Sequence, residues 1–339
     1  MLRPTPFAPA REPPQELGAE RVSPETAEVL GSPACPAGLT SLVLSILTGR
    51  AYGVALQALS AAAAAGRLRC LRQLLLSFGD DDDEMLTVED VRALRGVELP
   101  ALESLVVERI SAGADEDPAP HLAAMRLPRL RRLKVDVCSS EAAAALAAAP
   151  WMAGVEELAV SGDADVAASG HWLKALAAVP LPSLRVLLLH VFSPTDQARP
   201  AGVASQLDLV RVLADAPWLP RLTGLRLKFP YACAGKVSAG KASAQKTWAA
   251  LAAAPLHSLR RLAVSDMLDF HSTRDGAAMM RAAVVGVEHM AAAPWLPRLH
   301  ALELPRDEKD ALATAARRFP TLVQLQARGA LRFGMAPTW

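Results

Sequence analysis

Two dodecapeptides, APWLPRLTGLRL at 216 to 227 and APWLPRLHALEL at 293 to 304, are nearly identical, and aligning them on their leucines yields the template L-x-x-L-x-L. The template runs through the chain as LTSLVL at 39, LRQLLL at 71, LESLVV at 102, LRRLKV at 130, VEELAV at 155, LRVLLL at 184, LTGLRL at 222, LRRLAV at 259, LHALEL at 299 and LVQLQA at 322. Self-similarity at such a period implies a stack of small units, because one unit cannot bury its apolar face alone. Within each hexapeptide the alternation of aliphatic and variable positions predicts a short strand with leucines inward and x positions outward.

Successive hexapeptides start 23 to 40 residues apart, which leaves room for a helix between strands. Helix-forming runs lie there: EAAAALAAA before Pro150, HWLKALAAV before Pro180, SQLDLVRVLADA before Pro217 and KTWAALAAA before Pro255. The unit is therefore read as βα. Pro217 and Pro294 stop helices, and Trp218 and Trp295 are expected to cover the end of the apolar core. A second proline stands two residues before the first leucine in six units (Pro100, Pro128, Pro182, Pro220, Pro297, Pro320), where its fixed φ suits a strand entrance.

The ten hexapeptides resemble those of the leucine-rich repeat family, over Leu39 to about Ala327. The long units are most similar to the intracellular, helix-containing classes, such as ribonuclease-inhibitor-like and F-box-associated repeats. The resemblance implies an α/β solenoid, a horseshoe with one parallel sheet of about ten short strands on the concave face and helices on the convex face. The chain departs from the family in having no asparagine, the residue that commonly follows the template in a hydrogen-bonded ladder; only Cys138 occupies that slot with a residue the family uses. The expected organisation is a disordered, proline-rich tail over 1–38, which holds eight prolines, a solenoid over 39–330 and a C-terminal tail over 331–339.

Catalytic and metal motifs are poorly represented. Gly235, Gly240 and Lys241 match G-x-x-x-x-G-K, yet Ala242 stands where a magnesium-binding Ser or Thr belongs, so an NTP-binding enzyme is only a remote alternative. The run DDDDE at 80 to 84 lacks the alternation of a calcium loop, and the seven histidines show no paired metal spacing. The reading is of a non-enzyme with no cofactor. A net charge of +1, four dispersed cysteines and no hydrophobic leader point to a cytoplasmic or nuclear monomer that engages neither nucleic acid nor membrane.

What remains is the outward face, and its expected role is to bind another protein, together with the long loops. Its x positions carry eight basic residues against four acidic ones. The predicted partner-binding residues are Arg131, Arg132, Lys134, Glu156, Glu157, Arg185, Arg226, Arg260 and Arg261. Arg131 and Arg132 face Glu156 and Glu157 in the next unit, so neutral pairing competes with recognition of an acidic partner. The alternative drawn from the family resemblance is the substrate-recognition subunit of an F-box-type ubiquitin ligase, although residues 1–38 carry no F-box pattern.

Overall fold

The opening residue of eight hexapeptides lies at the end of a turn, not in a strand, whereas Leu39 opens a strand and Leu322 lies in a helix. A computed structural model describes residues 15–19, 24–46, 49–78, 91–108, 119–137, 140–163, 171–192, 206–228, 237–265, 288–304 and 318–333. In nine units the N–H of the opening residue donates to the carbonyl three residues earlier at 3.0 to 3.2 Å, as in Leu102 to Leu99, Leu184 to Leu181 and Leu222 to Leu219. In seven of these turns both ends are buried leucines, and in five the proline of L-P-x-L occupies the second position, where its fixed φ suits the bend. Pro100, Pro128, Pro182, Pro220 and Pro297 thus shape a turn ahead of the strand, and strands begin two residues later than the template suggests.

Beyond each turn runs a strand: β1 Gln15–Ala19, β2 Leu39–Ile46, β3 Gln73–Phe78, β4 Ser104–Glu108, β5 Arg132–Val137, β6 Glu157–Asp163, β7 Val186–Phe192, β8 Gly224–Lys228, β9 Arg261–Ser265, β10 Ala301–Leu304 and β11 Leu331–Phe333. These described strands form one parallel sheet in sequence order. Between them lie helices α1 Pro24–Gly31, α2 Gly49–Ala64, α3 Ala119–Ala123, α4 Ser140–Ala147, α5 His171–Ala178, α6 Gln206–Ala214, α7 Val237–Ala253 and α8 Pro320–Ala327. Three short 3-10 turns precede β6, β8 and β10. The fold is α/β, and the inward residues of strands and helices form one continuous buried cluster from Leu30 to Ala330.

The helices repeat one packing face. Ala142, Ala143 and Leu146 of α4 are buried at the spacing that recurs as Trp172, Leu173 and Leu176 in α5, as Leu209, Val210 and Leu213 in α6, and as Thr247, Trp248 and Leu251 in α7. Positions i, i+1 and i+4 share one side of a helix, so each presents the same stripe to the sheet and packs on its neighbour. Small residues in α4 alternate with indoles in its successor, which keeps the layer filled without a strict consensus.

No asparagine occurs in the chain, and the main chain itself supplies a ladder at the strand entrances. The carbonyl of the residue after the opening leucine accepts two N–H groups from the next unit: Arg72 from Glu103 and Ser104, Glu103 from Arg131 and Arg132, Arg131 from Glu156 and Glu157, and Glu156 from Arg185 and Val186. Arg185, Thr223 and Arg260 continue the series, at 2.7 to 3.1 Å. Since the bonds are backbone to backbone, no particular side chain is needed to hold the register. Cys138, in the slot after its hexapeptide, lies outside the described residues.

Three expectations are corrected. Residues 1–38 are not a tail throughout: β1 pairs with β2, and α1 packs on α2. Of the eight prolines that suggested disorder, Pro24 opens α1 and Pro33 and Pro36 lie in the turn before β2, the other five being outside the described residues, while Leu30 and Cys35 are buried at the head of the core. Arg67 fastens this segment by donating from Nη1 to the Gly31 and Ser32 carbonyl oxygens at the end of α1. Residues 1–14 and 20–23 lie outside the described residues.

The second correction is LVQLQA, which is helix and not a tenth strand. Pro320 fits the first helical turn, Leu322 and Leu325 are buried three apart, and Gly329 at φ 66 closes the helix with Ala330 N–H on Leu325 O. The third is the C-terminal boundary: Leu331–Phe333, expected in a tail, pairs with β10.

Candidate interaction face

Strand alternation places one set of side chains inward and the other on a sheet side that carries no helix among the described residues. Register joins the outward residues into rows. One row runs Ser41, Gln73, Ser104, Arg132, Glu157, Val186, Gly224, Arg261, Ala301, and the next runs Val43, Leu75, Val106, Lys134, Ala159, Leu188, Arg226, Ala263, Glu303. Their residues are half-buried or exposed, apart from Gly224, over whose missing Cβ the Val186 methyls lie (3.3 Å).

All nine predicted residues lie on this side or on its entrance edge, but they separate into two groups. Arg131 Nη1 bonds Glu156 Oε1 at 3.1 Å, and Lys134 Nζ bonds Glu108 Oε1 at 2.5 Å. Arg72 pairs with Glu103 at 3.6 Å in the same half. Arg132 stands beside Glu157 in register. Pairing therefore takes up Arg131 and Lys134 with partners in adjacent units, and such exposed pairs contribute at most about 1 kcal/mol.

Arg185, Arg226, Arg260 and Arg261 form the second group, on β7 to β9 and their entrances. Arg260 Nη1 donates to the Arg298 carbonyl oxygen at 3.3 Å, and Arg185 Nη1 lies 3.5 Å from the Leu184 carbonyl oxygen. The chemistry available here is electrostatic and hydrogen-bonding: planar guanidinium forks on a rigid sheet, with Val186 and Leu188 as an aliphatic floor between them.

Residues of this face escaped the template because it stops at its sixth position while the strands continue. Glu108, Asp136, His190 and Lys228 occupy the next outward place on β4, β5, β7 and β8. His190 stands opposite Lys228 in register. Burial, followed by the charges of Lys228, Arg226 and Lys134, pushes the His190 imidazole down to about 4, so it is neutral at physiological pH.

Other sequence features lead elsewhere. Residues 237–243 are helical, so Gly240 and Lys241 lie within α7 and not in the open turn that cradles a phosphate. The acidic run 80–84 and His271 lie outside the described residues. Among the described residues no three His, Cys, Asp or Glu side chains gather as metal ligands, and no helix is long and apolar enough to cross a membrane. Cys35 and Cys70 are free thiols, the first buried and the second exposed. No protein-family model and no curated protein matches the chain.

Proposed function

We propose that the chain is a leucine-rich-repeat solenoid and serves as a non-catalytic module that binds a partner protein through the open side of its sheet. One observation carries this reading: a parallel sheet in sequence order whose outward rows are held at fixed spacing by backbone bonds and bear no covering helix among the described residues. Such a surface presents side chains about 4.8 Å apart on a rigid frame, which lowers the ordering cost of binding. The repeats, the turn before each strand and the alternating burial all agree with the leucine-rich-repeat resemblance.

The test uses photo-crosslinking residues placed on each side in cells that express the protein. Positions Gln73, Arg132 and Ala301 report on the open side; Gln57, Lys174 and Arg211 report on the helical side. Adducts confined to the first set support the reading, and adducts confined to the second set refute it.

A further inference from the structure

We propose that the protein assembles with copies of itself head to tail, the C-terminal end of one stack (α8 and β11) seating on the N-terminal end of the next (β1 and α1), in place of the monomer expected from the sequence. The inference concerns the two ends of the stack and stands apart from the open-face reading.

The sheet supplies the geometry. Among the described residues β1 pairs with β2 alone and β11 with β10 alone, so each end of the sheet presents an edge of backbone donors and acceptors. Every pairing is parallel and in sequence order, so a second copy laid in the same sense sets its β1 beside β11 as one more parallel strand. The repeat fixes the register: Leu17 aligns with Leu42 and Leu331 with Leu302, and both partners are the fully buried second leucine of a hexapeptide. Carried across the junction, that alignment sets Leu331 beside Leu17, Arg332 beside Gly18 and Phe333 beside Ala19 of the next copy, a large residue against a small one in two of three places. Glu16 and Arg332 both hold outward register positions, so they stand diagonal to each other, within reach of long side chains.

Charge selects this arrangement. Residues 1–38 hold five Glu against three Arg, while residues 305–339 hold six Lys or Arg against three Asp or Glu. On the end elements the split is complete: β1 and α1 carry Glu16, Glu25 and Glu28 with no Lys or Arg, and residues 318–333 carry Arg318, Arg328 and Arg332 with no Asp or Glu. Opposite ends attract, whereas head-to-head or tail-to-tail pairing sets like charges together.

Apolar exposure agrees. Among the described residues the exposed large hydrophobic side chains are Val29 in α1, Val54 in α2 and Val323 in α8, and none lies on α3 to α7. A stack that stays single needs a polar outer face on its terminal units, yet each end here shows an aliphatic residue. Because the two surfaces differ, the contact is heterologous: copies add until a ring closes or continue as a filament, and do not stop at two.

The experiment is sedimentation velocity of the full chain over a concentration series at low salt. The parent is expected to gain mass with concentration beyond that of a dimer, and added salt to reverse the gain. A head variant, Glu16→Arg with Glu28→Arg, and a tail variant, Arg328→Glu with Arg332→Glu, are each expected to weaken self-association at least tenfold. All four substitutions in one chain make the ends opposite again and are expected to restore it to within threefold of the parent, which guards against a folding defect. Mixing the head and tail variants is expected to restore it too, since each junction then joins opposite charges. A parent that stays single at every concentration overturns the inference, as does an assembly that neither variant weakens, or a loss that neither the fourfold variant nor the mixture restores.

Discussion

The indole N–H of Trp295 donates to the carbonyl oxygen of Ala252 at 3.2 Å, across 43 positions of sequence, and Trp218 reaches Leu176 in the same manner at 3.4 Å. Each tryptophan ties the turn before its strand to the last turn of the helix one unit back, α5 for Trp218 and α7 for Trp295, where carbonyls lack helical partners. Trp151 occupies the equivalent place before β6, yet its Nε1 is buried without a hydrogen-bond partner.

Phenylalanine substitutions separate the bond from the packing. Trp295→Phe and Trp218→Phe are each expected to lose about 1 kcal/mol for the hydrogen bond beyond the loss from the smaller ring. Trp151→Phe gives up no such bond and removes a buried orphan donor, so it is expected to be the mildest of the three. Urea melts of the three variants check the order, and a Trp151→Phe loss equal to the others contradicts it.

Arg67 holds the N-terminal segment. Gly66, at φ 70, lets the chain leave α2 so that Arg67 meets the end of α1. Arg67→Ala should remove about 1 to 2 kcal/mol of local stability, the range for bonds with a charged donor. Hydrogen exchange is the readout: amides of residues 24–46 speed up, while those of β7 to β10 keep their rates, because a stacked array can open at one end.

Adjacent positions on β7 have opposite expected costs. Leu187 is fully buried and Leu188 half-buried on the open side. Leu187→Ala should cost about 2 to 5 kcal/mol, whereas Leu188→Ala should stay within about 1 kcal/mol. Thermal melts that rank the two the other way would falsify the assigned facing of the sheet.

His190 supplies a pH signature. Its folded value of about 4 lies below the ordinary 6.5, so the unfolded chain binds more protons between these values. The stabilisation is thus fully present above pH 6.5 and declines as pH falls toward 4. With the imidazole only half-buried, the loss by pH 5 is expected to stay near 1 kcal/mol after screening. NMR titration of His190 should place its midpoint at about 4, and Lys228→Met should raise it; no change on removing Lys228 contradicts the charge assignment.

The inward leucines were legible because a period of two survives any phase error of two residues. The phase itself was not, since the opening leucine is as buried as the strand leucines and composition does not distinguish a turn from a strand end. LVQLQA misled for a related reason: leucines three apart satisfy both the template and a helix, and only Pro320 and Gly329 mark the latter. QELGA was missed because Leu17 is its one aliphatic residue larger than alanine. On the face, Arg131 with Glu156 was readable from neighbouring units, while Lys134 with Glu108 required knowing that β4 runs past its hexapeptide.

The carbonyl ladder at the strand entrances has a consequence for how such a surface changes. From Arg72 to Arg260 the pairing is carried by main-chain atoms, and the side chains at those places include arginine, glutamate and threonine. Their identity is therefore mechanically silent: replacing one alters what the surface attracts without displacing the strand beneath it. Specificity can drift under mutation while the frame stays put, so two chains of this design could share every strand position and recognise entirely different partners.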